Sequence, residues 1–421
     1  MKPLATIAFL CVLLQSVFAQ CGDRYRTDVF PEIIIERDIQ YGFNYDSKNN
    51  PTNLLMDVCQ PKDDTAALRP LMIFVHGGSF IGGGRRDQRI DLTAEYFARK
   101  GYVTANIEYR LQQSTLIDPI LDFAETDNWY QAIIRAVQDL NAAIRYFKKD
   151  AAENNNSYRV DTNTIILYGS SAGAITVLHK AFLTDADTAK ANRPFQFNIN
   201  KLGGSLYGNS GNQGYSVDGV KAVVSCSGAL QDEKFFDESK KDIAYIAFHN
   251  NPDPVVPFDK GCFATAFCHL GYFYGANKLS KRAERLGMNY AFYPFEELGH
   301  PVDESSNTER KAFILETTKT FLADILCPQT STPVRELSVK ALTIYPNPSQ
   351  GILNISLPEM LIGKYCLVEI LDVSGRTVYS ENVQAGSVLT VGKKFQTGAY
   401  QLKITSEILK NEVFMGRWVA M

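Results

Sequence analysis

Residues 164–183 read TIILYGSSAGAITVLHKAFL. An apolar run from Ile165 to Tyr168 stops at Gly169 and a helix-forming stretch opens at Ala172, so the chain turns from strand to helix across the Ser170-Ser171 pair. Only Ser171 has a glycine two positions away on both sides, Gly169 and Gly173. At such a turn the exposed residue is strained and its flanks crowd together, so those two positions favour the absence of a side chain. Ser171 is therefore the candidate nucleophile. Ser170 fills the variable position and is read as packing or tuning the turn. The five-residue pattern is weak alone, and the strand before it and helix after it make it specific.

Outward from this turn, apolar runs alternate with helix-period stretches from Gly42 to Phe321. LLMDVCQ, LMIFVHG, VTANIEY, TIILYG, VKAVVSC, IAYIAFH and NYAFYPF read as strands, several apolar on both faces as in a parallel sheet covered by helices. Ile133, Val137, Leu140, Ile144 and Phe147 form one helical stripe between Trp129 and Phe147, and a shorter helix runs from Leu92 to a stop at Gly101. The expected fold is an α/β sheet flanked by helices. Residues 328–340 are polar and carry two prolines, which reads as a linker between a catalytic domain, 20–327, and a terminal domain, 341–421. That second domain contains short strands without a helical stripe and is expected to be a small all-β sandwich. The Gly- and Asn-rich stretch from Thr184 to Gly219 reads as a long insertion.

A serine hydroxyl barely ionises at neutral pH, so it needs a general base, and the base needs a carboxylate to hold its tautomer. His300 lies in EELGHPVDE, a loop leaving the last strand, and is the candidate base. Asp253, in the proline-flanked turn NPDPVV, is the candidate acid; Asp259 is read as starting a helix or loop and Asp303 as capping the last helix. His249 is read as shaping the turn that holds Asp253, and His269 as structure or pocket wall. FVHGGSFIGGG runs from strand into glycines, whose backbone N–H groups can approach a substrate closely. Gly77, Gly78 and Ala172 are the candidate oxyanion donors, with Ser79 a further candidate. His76 is expected to brace that loop.

The chain has 421 residues and a net charge of −3, with no basic cluster to attract nucleic acid. Lys2, the apolar stretch Ala5–Leu14 and the small residues Val17 and Ala19 read as a signal peptide over residues 1–19, which implies export. No later segment reads as an integral membrane span in the mature chain. Export places seven remaining cysteines in an oxidising compartment, so at least one thiol stays free. Cys262 with Cys268 is the first expected disulfide and Cys21 with Cys59 the second. No metal-binding spacing is present.

HGGSF, NIEYRL, YGSSAG, NPDPVVPF and LGHP, in that order, resemble the carboxylesterase and lipase-like branch of the α/β-hydrolase superfamily over residues 40–326. The resemblance implies hydrolysis of carboxylic esters through an acyl-enzyme on Ser171, without a cofactor. IYPNPSQGILNISL, VEILDVSGRTVYS and TGAYQLKI resemble the C-terminal sorting domain of the type IX secretion system. That implies passage across both membranes to the medium or cell surface, with the secretion machinery as partner. The ester substrate is expected to be small or polymeric: acetyl or feruloyl esters of plant polysaccharide, or a polyester such as poly(ethylene terephthalate). Pocket contacts are expected from Tyr207, Tyr215, Phe263 and Phe267. A serine peptidase on the same fold and a non-catalytic hydrolase-like binding protein are the alternatives.

Overall fold

The structure, a computed structural model, describes residues 21–113, 125–304, 307–328, 338–349, 352–373, 376–392, 395–406 and 412–420. The expected signal peptide, 1–19, and most of the linker, 329–337, lie outside these residues. The chain forms two compact units, divided after Pro328.

The first unit runs β1 (Ile33–Tyr45), β2 (Pro51–Pro61), β3 (Arg69–Val75), α1 (Gln88–Ala98), β4 (Val103–Ile107), α2 (Thr126–Glu153), β5 (Val160–Ser170), α3 (Ala172–Phe182), α4 (Arg193–Lys201), β6 (Val220–Cys226), β7 (Ala229–Leu230), β8 (Ala244–Asn250), β9 (Lys260–Gly261), β10 (Phe273–Gly275), α5 (Ala276–Arg285), β11 (Tyr290–Phe295) and α6 (Thr308–Leu326). Eight strands form one sheet in the order β1-β2-β4-β3-β5-β6-β8-β11. β1 with β2 and β2 with β4 pair antiparallel, and the other neighbours run parallel, as the apolar runs imply.

Side-chain period two divides the core between the faces. Leu71, Ile73, Val75, Ile165 and Leu167 pack on the face of α2 and α3, whereas Met72, Phe74, Ile166 and Tyr168 pack with α1 and α6. β5 lies inside the sheet, so its carboxyl end opens onto the edge where α/β sheets bind ligands.

Several expectations change. β1 was not among the expected strands: bulges between Glu36 and Ile39 and between Gln40 and Gly42 break its alternation, and it is half-exposed at the edge. α1 begins at Gln88, ahead of Leu92, because the Asp87 carboxylate accepts the Arg89 N–H and caps it there. The insertion Thr184–Gly219 contains α4 and is pinned to α2: Gln138 donates to the carbonyls of Leu202 and Ser205, and Arg145 to those of Tyr207 and Gly211.

Cys262 bonds Cys268 as expected, but Cys21 bonds Cys327, 306 positions away, rather than Cys59. Cys59 is buried within β2, and chain ends meeting in space leave no spacing signal. Asp303 does not cap the last helix; Asn307 does, accepting from Arg310 N–H at 3.1 Å.

The second unit is all β. β12 (Ser338–Ala341), β13 (Thr343–Tyr345), β14 (Leu353–Ser356), β15 (Tyr365–Leu371), β16 (Thr377–Gln384), β17 (Val388–Val391), β18 (Gly398–Thr405) and β19 (Glu412–Ala420) form a five-stranded sheet, β12-β19-β18-β15-β16, and a three-stranded sheet, β13-β14-β17. Leu353, Ile355 and Val391 of the smaller sheet share one core with Val368, Ile370, Leu402 and Phe414 of the larger, which is a sandwich. β12 begins inside the stretch read as linker: Ser338–Lys340 pair in parallel with Glu412–Phe414, and a polar edge strand carries no apolar signal.

Candidate active site

Ser171 stands between β5 and α3 with φ 52° and ψ −117°, a left-handed conformation costly for a side-chain-bearing residue. A Cβ on Gly169 would lie 2.3 Å from the Gly173 carbonyl oxygen, and one on Gly173 would lie 1.9 Å from that of Val75. The two glycines thus let α3 press against both β5 and the end of β3. The Ser171 N–H donates to the Cys226 carbonyl at 2.8 Å, which ties the turn to β6.

The Ser171 hydroxyl lies 2.6 Å from His300 Nε2, and His300 Nδ1 lies 2.8 Å from Asp253 Oδ2. These contacts assign the Nδ1 proton to the carboxylate side and leave Nε2 free to accept from the serine. Asp253 follows β8, and its Oδ1 accepts the N–H groups of Val255 and Val256 at 2.8 and 2.9 Å, an Asx turn that locks the carboxylate. Buried His249 brings Nε2 to 3.2 Å from both Asp253 Oδ2 and the Val256 carbonyl, the turn-shaping role expected of it. Burial opposes ionisation of Asp253, but hydrogen bonds from His249 and His300 outweigh it and hold the carboxyl well below the usual carboxylate range.

The loop carrying His300 is tied down on several sides. Asn250 donates to the Gly299 carbonyl at 3.0 Å, and the Val302 N–H donates to Ser227 Oγ at 3.0 Å. Ser170 Oγ donates to Asp303 Oδ1 at 2.7 Å, so the serine beside the candidate nucleophile holds the segment that bears the candidate base. Burial pushes the Asp303 carboxyl above its ordinary value, with the Ser170 hydrogen bond and the Arg89 charge acting against it. Sequence reasoning gave Asp303 another role. Its signal was its place three residues after His300.

The loop after β3 packs against the same turn. A Cβ on Gly77 would sit 3.3 Å from Ser171 Cβ, and Gly78, Ser79 and Phe80 all have positive φ. Ser79 and Ala172 line a cavity beside Ser171; Gly78 folds back on Gly82. Ala172 is the first residue of α3, so its N–H has no partner within the helix.

His76 braces the loop: its Nδ1 lies 2.7 Å from the Gly77 carbonyl, its ring stacks on Tyr109 at 4.3 Å, and Nε2 lies 3.6 Å from Glu108. Glu108 in turn accepts from Arg85 at 2.8 Å. Asp57 accepts from Arg85 and Arg86, and although its burial opposes ionisation, Arg86, the Asp38 N–H and Arg85 hold its carboxyl well below the usual range. Sequence reasoning missed this network, because its members lie on β2, after β3 and after β4.

Phe263 and Phe267 line the cavity as expected. Tyr207 and Tyr215 do not. The Tyr207 ring lies under Arg145 at 4.3 Å and its hydroxyl donates to the Tyr215 carbonyl, while the Tyr215 hydroxyl reaches Glu153. Asp259 lies in the loop before β9, accepting from Asn277 at 3.3 Å. His269 sits in the short 3₁₀ turn Cys268–Leu270, with its ring 6.0 Å from that of Phe267.

The first unit is thus a mostly parallel α/β sheet flanked by helices, with a strained strand-to-helix serine at its carboxyl edge. Residues 56–245 match the BD-FAE family, an α/β-hydrolase esterase domain, and residues 343–413 match the secretion system C-terminal sorting domain. The chain is 28% identical to mouse carboxylesterase 3B over 142 residues, covering 33% of this chain and 22% of that protein. Similar solved structures include a thermophilic esterase from the planctomycete Thermogutta terrifontis with butyrate bound, at 19% identity and a TM-score of 0.45 over 70% of this chain and 95% of that one. The apo form of esterase 2 from the same organism gives 19% identity and 0.45 over 70% and 96%.

Proposed function

We propose that the chain is an exported serine carboxylesterase in which Ser171, His300 and Asp253 form the catalytic triad. One observation carries the reading: the unbroken chain of contacts from the Ser171 hydroxyl through both nitrogens of His300 to a locked carboxylate. Ser171 Oγ attacks the acyl carbon while its proton passes to His300 Nε2, and Asp253 stabilises the imidazolium that forms. Backbone N–H groups of Gly77, Gly78 and Ala172, with Ser79 beside them, receive the charge on the carbonyl oxygen. The alcohol leaves with the proton from His300, and water admitted to the same base releases the acid.

The sorting-domain match supports carriage by the type IX machinery to the medium or the cell surface. Polysaccharide esters and polyesters are the substrate classes that suit such an export. Nitrophenyl esters and a peptide anilide, each offered to the purified enzyme, test the reaction class: ester turnover is expected, and preference for the anilide would make the protein a peptidase. Deleting residues 341–421 should retain the enzyme in the periplasm, and normal release would refute the sorting role.

A further inference from the structure

We infer that the disulfide-closed loop from Cys262 to Cys268 determines specificity, closing a pocket that admits an uncharged hydrocarbon acyl chain beside Ser171. This deepens the ester-hydrolase reading and rests on it. The cavity is about 270 Å³, and Ser171 and Ala172 lie in its wall. Trp129 of α2, Ile175 of α3, Val256 of the Asp253 turn, and Phe263 and Phe267 of the loop line it. Among the described residues, none that lines it carries an ionisable side chain. A charged group entering there would lose its water and find no partner.

Size sharpens the choice of substrate. An apolar cavity of ~150 Å³ takes one benzene, so this one holds about eight to ten carbons, far more than an acetyl group needs. The loop's own geometry explains the cross-link. Phe263 and Phe267 bridge each other, the Phe267 N–H donates to the Phe263 carbonyl at 3.0 Å, and Ala264 and Thr265 between them have φ of 47° and 55°. Two consecutive left-handed residues with side chains are unfavourable, so a short loop of this shape needs an external constraint. The disulfide spans its neck. The Phe263 ring is then held 4.3 Å from Trp129 and 4.6 Å from Phe273. Neither cysteine lines the cavity, so the bond acts on the wall rather than on the reacting groups.

Nitrophenyl esters from acetate to dodecanoate test this in the wild type, in Cys262→Ser/Cys268→Ser and in Phe263→Leu. In the wild type kcat/KM should rise about fourfold per added methylene until the pocket fills near eight carbons, and an ester whose acyl chain ends in a carboxylate should react at least ~100-fold more slowly than its uncharged counterpart. The octanoate-to-acetate ratio should fall about tenfold or more in both variants. A flat wild-type profile, or an unchanged ratio in both variants, would overturn the inference while leaving the esterase reading standing. Wild type inert toward every ester would remove that reading itself.

Discussion

Two glycine-rich turns meet at the carboxyl edge of the sheet, and they are held by different forces. The turn Gly169–Gly173 is fixed by backbone packed on backbone: Gly173 leaves no room for a Cβ beside the Val75 carbonyl. The loop from Gly77 is fixed by charge, with Asp57, Arg85, Arg86 and Glu108 linked beneath it and His76 stacked on Tyr109. Backbone packing writes itself into local spacing. Side chains that meet from β2 and from the loops after β3 and β4 do not.

The largest effect should come from breaking the packed turn. Gly173→Ala forces a Cβ to 1.9 Å from a carbonyl in the central sheet, so β3 or α3 must move. The loss is expected to exceed about 4 kcal/mol in urea unfolding or to prevent folding; a well-folded variant within ~1 kcal/mol of wild type would refute the steric account. Asp57→Ala should follow. It removes a buried carboxylate shared by Arg85 and Arg86, which keep Glu108 and Asp38 as partners, and should cost about 2 kcal/mol, with esterase activity falling further than stability alone explains. Retained kcat/KM would show that charge does not position the loop.

Ser170→Ala joins the two regions' chemistry on a smaller scale. Losing one hydrogen bond should cost about 1–2 kcal/mol and leave measurable esterase activity, since Ser171 is untouched. The hydroxyl favours ionised Asp303, whose folded pKa is already raised. The variant's deficit should therefore be small at low pH, where that carboxyl is protonated, and grow as pH rises through its folded pKa. A deficit independent of pH would show that the hydroxyl does not act through Asp303.

Asp253 predicts the opposite sign. Its folded pKa is depressed, so its contribution is present above the unfolded value near ~4 and lost as pH falls toward the folded value. Wild type and Asp253→Asn should differ in urea midpoint at and above about pH 5, converging only below ~4. Convergence near neutral pH would contradict the hydrogen-bonded carboxylate.

These contrasts also explain what could be read without coordinates. The seven apolar runs, the serine selected by its glycines and the Asp253 turn all express local sterics or periodicity, and each reappears as a strand or a contact at the site. β1 was hidden by bulges and half-exposure, and the Cys21–Cys327 bond by 306 positions of separation. Asp303 looked like a helix cap because its partner, Ser170, lies 133 positions away. The insertion looked like pocket wall because nothing in its own sequence records that α2 holds it.

Intact-mass measurement during turnover of a slowly hydrolysed ester tests the central claim most directly. Wild type should gain the mass of one acyl group, mapped by peptide digestion to Ser171, while Ser171→Ala gains none and loses turnover by at least ~1000-fold. Acylation at any other residue, or undiminished ester turnover by Ser171→Ala, would contradict the account.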